Sequence, residues 1–134
     1  MVPEARDVWL QQVIEKDMGV PAGNVLSVEE QIVITCQAHG IEPEIPLAIA
    51  RLETGHFTSD AYRSGNNVGG LSVNEMPYTY KNLEKGVEAF VSNLADNYFA
   101  QGLTSPEAIS KKYCPANAEE WARVVRKIME EGET

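Results

Sequence analysis

A chain of 134 residues is long enough for one ordinary hydrophobic core and short for two, so a single compact domain is expected. Its composition, 43% hydrophobic and 23% charged, is that of a globular protein, and no apolar run approaches the roughly 20 residues that span a bilayer, so membrane insertion is not expected. With 20 acidic against 11 basic residues, a formal charge of −9, the chain lacks the clustered cations that grip phosphate, which excludes nucleic acid as its main ligand.

The first elements are read from apolar spacing and punctuation. From about Val2 to Met18, Ala5, Val8, Trp9 and Val13 fit one helical stripe, and Gly19 to Leu26, with Pro21 and Gly23, reads as a loop; residues 1–26 are therefore expected to be an appendage to a domain over 27–134. Glu4, Arg6, Asp7, Glu15, Lys16 and Asp17 break any apolar stretch there, so no secretory leader is expected. Ser27-Val28-Glu29-Glu30 has the form of a capping box opening a helix that buries Ile32, Val33 and Cys36 and ends at Gly40. Pro46 suits the first turn of the next helix, which runs to Thr54 and stops at Gly55.

That second helix carries the residue with the most chemistry. Ile45, Ile49 and Glu53 recur at four-residue steps, flanked by Ala48 and Leu52, so the carboxyl of Glu53 continues an apolar stripe at a helix C-terminus. Burial and the helix dipole both penalise its ionised form, and a Glu tuned upward in this way holds a proton near neutral pH and can donate it to a leaving-group oxygen.

Further along, the Ser, Asn, Gly and Pro density between Thr58 and Tyr80 predicts no helix, only a short extended segment or cramped hairpin over Val68 to Val73 with Asn74 at its turn. Asn82 caps a helix whose buried face is Val87, Phe90, Val91, Leu94 and Tyr98, closed by Gly102. Ser105-Pro106-Glu107 starts a short helix through Lys112. Asn117-Ala118-Glu119-Glu120 reads as a second capping box, before a helix that points Trp121, Val124, Val125 and Ile128 inward. The fold class is mainly α, helices gathered around the Glu53 helix with a very short β-hairpin or extended lobe. Cys36 and Cys114 are two thiols whose pairing cannot be deduced from sequence.

Four segments together resemble the lysozyme superfamily, most closely its bacterial and phage endo-β-N-acetylglucosaminidases and their lytic transglycosylase relatives. They are Ile45 to Gly55, similar to the family's "E-S/T-G" helix end; Asn66-Asn67-Val68-Gly69-Gly70-Leu71, similar to its "N-N-x-x-G" turn; Tyr78 to Gly86; and Tyr113-Cys114-Pro115-Ala116-Asn117 with Trp121 and Val125, similar to its "Y-x-P … W-x-x-x-V". The resemblance implies a glycosidase acting on peptidoglycan glycan strands, with Glu53 as catalytic acid, the Asn66-Asn67 turn and Gly70 shaping the floor of a glycan cleft, and Tyr113 reaching into the site. Tyr78 and Tyr80 either stack on sugar faces or pack before the next helix. His56 either meets the last helix carbonyls or lines the cleft rim.

A two-carboxylate glycosidase sets its partners about 5–5.5 Å apart for retention or about 6.5–9.5 Å for inversion. Glu75 is the only acid between Leu71 and Tyr80, with Asp60 the alternative; either serves as the second carboxylate or is a surface residue. If neither serves, Glu53 acts alone, first as acid and then as base, and the acceptor decides between hydrolysis and an anhydro end. A non-catalytic glycan-binding module and an acidic adaptor for a basic protein are the competing classes. The resemblance further implies action on the bacterial cell wall, as a small phage lysin or as part of a larger wall-degrading or phage tail protein. No His-Glu-x-x-His, Cys-x-x-Cys or Asp-rich calcium loop occurs, so neither metal nor cofactor is expected.

Overall fold

The computed structural model describes residues 26–73 and 76–132. The helix predicted over Val2 to Met18 and the acid at Glu75 lie outside them. The chain is mainly helical: α1 (Val28–Ala38), α2 (Glu44–Glu53), α3 (Asp60–Gly65), a hairpin of β1 (Ser72–Val73) and β2 (Met76–Pro77), α4 (Leu83–Asn97), α5 (Pro106–Tyr113) and α6 (Ala118–Gly132). The two strands pair antiparallel, Ser72 opposite Pro77 and Val73 opposite Met76.

Local chemistry accounts for most helix ends. At α1 the capping box is complete: the Ser27 hydroxyl accepts from the Glu30 N–H at 3.1 Å, and the Glu30 carboxylate accepts from the Ser27 N–H at 2.9 Å. Asn82 and Ser105 cap α4 and α5 through the side-chain oxygen alone, accepting from the Lys85 and Ala108 N–H groups. Helix α2 starts at Glu44 with Pro43 as N-cap, which puts Pro46 in the first turn as expected, where a missing N–H costs nothing.

Two expectations are corrected. The segment after Thr58 does contain a helix, α3, six residues held at both ends: Ser59 accepts from the Tyr62 N–H, and Asn66 closes it in the left-handed conformation with φ 56°. The Ser/Asn/Gly density that argued against a helix is here the density of its two caps. At α6 the chain enters through a 3-10 turn, Pro115–Asn117, that runs straight into the helix, and Glu120 grips Arg123 instead of reaching back to Asn117.

The core gathers Ile32 and Cys36 of α1, Ala48 to Ala50 of α2, Val68, the α4 face Val87, Phe90, Val91 and Leu94, Ile109 of α5, and Trp121, Val125 and Ile128 of α6. Burying each large aliphatic or aromatic side chain contributes about 1.5–3 kcal/mol. Helix α6 packs across both α5 and α2, while α1 packs against α4 and α2, so the C-terminal end of α2 is enclosed by elements from the far end of the chain. Both cysteines are free; Cys36 is buried, which pushes its thiol up to about 12 and leaves it inert.

Candidate active site

Glu53 is the last residue of α2, half-buried at the end of the stripe that Ile49 anchors in the core. Its Oε1 accepts a hydrogen bond of 2.8 Å from the indole Nε1–H of Trp121 on α6. Burial raises its pKa above the ordinary carboxylate value, and the Trp121 hydrogen bond, which favours the ionised form, works against that rise. Its other oxygen lies against main chain: a Cβ on Gly70 would stand 2.6 Å from Oε2. Only a residue without a side chain leaves the carboxyl where it is.

The Asn66–Leu71 turn holds Gly70 there. The buried Asn67 amide donates to the carbonyls of Leu71 at 2.7 Å and Tyr78 at 3.1 Å and accepts from the Leu71 N–H at 3.2 Å, so it pins the turn to the chain leaving the hairpin. Asn66 donates to the Tyr80 carbonyl at 3.0 Å. Gly86, in the first turn of α4, has no room for a Cβ because the Asn66 carbonyl occupies it, so α4 seats directly on the turn. These two asparagines, expected to shape a cleft floor, spend their amides on main chain of the turn and of the segment leaving the hairpin.

Tyr113, at the end of α5, donates its hydroxyl proton to the Gly69 carbonyl at 2.6 Å. Its ring stacks on Trp121 at 5.3 Å and 25° and tilts against Tyr98 at 5.6 Å. Burial first, then the field of Glu53, raise its pKa well above that of a free phenol, so Tyr113 stays neutral. Glu53, Trp121, Tyr113 and Gly69-Gly70 thus form one contiguous cluster drawn from α2, α6, α5 and the turn. Tyr80 is half-buried and near enough for its field to reach Tyr113, while Tyr78 is exposed, its ring 6.1 Å from that of Tyr80.

The backbone after Glu53 turns abruptly. Gly55, His56 and Phe57 have φ of 57°, 58° and 65°, three consecutive left-handed residues, of which the two with side chains cost about 1–2 kcal/mol each. The fully buried Thr54 secures the turn, its hydroxyl donating to the Ala50 carbonyl at 2.6 Å and accepting from the Phe57 N–H at 2.8 Å. It is the main-chain N–H of His56 that reaches a helix carbonyl, that of Arg51 at 2.7 Å; its imidazole is exposed. Asp60 is exposed at the start of α3. Among the described residues no group of three His, Cys, Asp or Glu side chains could hold a metal ion.

A groove of about 780 Å³ between α5 and α6, lined among others by Glu107, Lys111, Arg123 and Arg126, lies apart from this cluster. Its Glu107 is gripped by Arg126 at 2.6 Å and held below the usual carboxylate range, the opposite of an acid tuned to keep its proton.

The family model for mannosyl-glycoprotein endo-beta-N-acetylglucosaminidase, the glucosaminidase family, matches residues 29–134, which contain every member of the Glu53 cluster. The chain belongs to this family. No curated protein matches the chain significantly. Glucosaminidases are glycosidases, so the substrate class is a glycan and the theme is cell-wall cleavage. No helix among the described residues is long and apolar enough to cross a membrane.

Sequence reading placed Trp121 in the core and missed its contact with the acid. The available signal was general: an indole buried on an inward helix face has one N–H that needs an acceptor. Which acceptor it takes is settled by folding across a separation of 68 positions.

Proposed function

We propose that this glucosaminidase hydrolyses the β-1,4 bond between amino sugars of peptidoglycan strands, with Glu53 as general acid. The observation that carries the reading is the carboxyl of Glu53 itself, half-buried, raised in pKa by that burial, and gripped on one oxygen while the other faces the side-chain-free Gly70. Near neutral pH such an acid delivers its proton to the glycosidic oxygen as the bond from the anomeric carbon breaks, and the resulting carboxylate is stabilised by the Trp121 N–H.

Tyr113 keeps its proton and ties the Gly69-Gly70 strand in place, leaving its hydroxyl oxygen as an acceptor toward a water or an acetamido N–H. Gly70 and the exposed Tyr78 with Tyr80 extend the substrate surface, the rings offering apolar faces to sugar rings. His56, exposed three residues beyond Glu53, is assigned to the rim of that surface. Glu75, the only acid between Leu71 and Tyr80, is the proposed second carboxylate, taking a proton from the attacking water.

The proposed site of action is the bacterial cell wall, the chain serving as a small phage lysin or as part of a larger wall-degrading or phage tail protein. The test is clearing of purified cell wall by wild type and Glu53→Gln. Wild type clears it and the variant falls at least 100-fold, since the amide keeps the shape and loses the proton. Equal traces overturn the reading. Mass spectrometry of the released fragments then distinguishes reducing ends, expected for hydrolysis, from anhydro ends.

A further inference from the structure

The two oxygens of Glu53 stand in different surroundings. Oε1 faces an indole N–H, which can only donate, so Oε1 can only accept along that contact. Oε2 lies over Gly70, in space that a Cβ there would contest at 2.6 Å. Trp121 is itself immobilised: it is buried, stacked on Tyr113, and carried by the long helix α6 that packs across α2. A rigid donor on one oxygen fixes the rotation of the whole carboxyl group.

We propose that Trp121 is a positioning residue that holds Glu53 in a single rotamer and assigns its oxygens separate roles, Oε1 as permanent acceptor and Oε2, above Gly70, as the oxygen that carries the proton to the leaving group. The proposal rests on Glu53 being the acid. Its distinctive consequence is that one contact both orients the acid and lowers its proton affinity. The titratable groups around Glu53 do not obscure this. Tyr113, flanked by Tyr98 and Tyr80, is a phenol shifted upward, as are its two neighbours. Arg51, on the same helix, is paired with Glu29 of α1, and Glu120 and Arg123 of α6 are paired with each other at the surface. His56, three residues on, is exposed.

Trp121→Phe keeps an aromatic ring beside Tyr113 and removes the N–H together with part of the indole's volume. In wall-clearing assays kcat falls about tenfold or more, as expected for a misaligned acid, while the alkaline limb of the pH profile moves to higher pH, because the ionised form has lost its hydrogen bond. A role limited to packing lowers the rate at every pH and leaves the limb in place, which overturns the proposal.

A second measurement needs no change at Trp121. The chain has two tryptophans, Trp9 and Trp121, so Trp9→Phe leaves one indole N–H cross-peak in a ¹⁵N spectrum. That peak shifts with pH as Glu53 ionises, and the shift disappears in Glu53→Gln. A peak that stays flat between about pH 3 and 8, or that titrates unchanged in the Gln variant, overturns the proposal. Should the peak titrate as expected while wild type fails to clear wall, the proposed reaction is what falls and the grip of Trp121 on Glu53 stands.

Discussion

Gly70 and Gly40 hold nearly the same left-handed backbone, φ 69° and 74°, yet they should respond very differently to one added methyl group. At Gly40 nothing lies within 4 Å of the new Cβ, so Gly40→Ala carries only the conformational cost of about 1–2 kcal/mol. That should lower Tm by about 3–8 °C and leave the rate alone. At Gly70 the same methyl meets Oε2 of Glu53 at 2.6 Å, and the carboxyl must rotate away from it. Gly70→Ala is therefore expected to lose a similar amount of stability and, in addition, about 100-fold in wall clearing. Paired melting curves and rates check this, and equal rates for the two variants would refute the part given to Gly70. Glu53 was legible in the sequence because an acid ending an apolar four-residue stripe is a local pattern. The closeness of Gly70 and Trp121 to it was not, since both contacts join segments that only the finished fold brings together.

The helices show the same division between local and distant causes. The capping box at Ser27, the Asn82 and Ser105 caps and the buried face of α4 were all readable, because each is decided within a turn or two of chain. Helix α3 was misread, since six residues with a cap at each end look like a polar loop until packing is known. The sequence singles out the turn at Asn66-Asn67 as the floor of a glycan cleft, and the structure shows the Asn67 amide spent on main chain. That amide makes three hydrogen bonds to main chain of the lobe, and a methyl group in its place takes this partner from the Leu71 N–H and the Tyr78 carbonyl, while the Leu71 carbonyl keeps the Tyr78 N–H at 2.9 Å. These groups are only partly buried, so each lost bond costs about 1 kcal/mol, and the loss falls on one small lobe rather than on the helical core. Asn67→Ala should accordingly speed hydrogen exchange at the Leu71 amide by 10-fold or more while the amides of α4 exchange nearly as before. Uniform loss of protection across both would show instead that the lobe and the helices unfold as a single unit.

The fold as a whole tolerates an acid that it would be more stable without. Glu53 has its folded pKa above the unfolded value, so between those two values the folded chain binds more protons than the unfolded one, and stability falls as pH rises through the interval. Glu107 and Glu120 are shifted the other way by Arg126 and Arg123, and what they contribute is present above the unfolded carboxylate pKa and lost on acidification. Both are exposed surface pairs, whose contribution is small and screened by salt. At neutral pH the ionised fraction of Glu53 is thus a desolvated charge within a chain whose formal charge is already −9. Gln in its place keeps an oxygen for the Trp121 N–H and removes that charge. Glu53→Gln should melt above wild type at pH 8 and together with it near about pH 3, where both side chains are neutral. A variant that melts lower at pH 8 would mean that the carboxylate contributes to folding through contacts other than its bond to the indole. The expected crossing of the two properties, a more stable protein that no longer cuts, follows from placing a proton donor where water solvates its ionised form poorly.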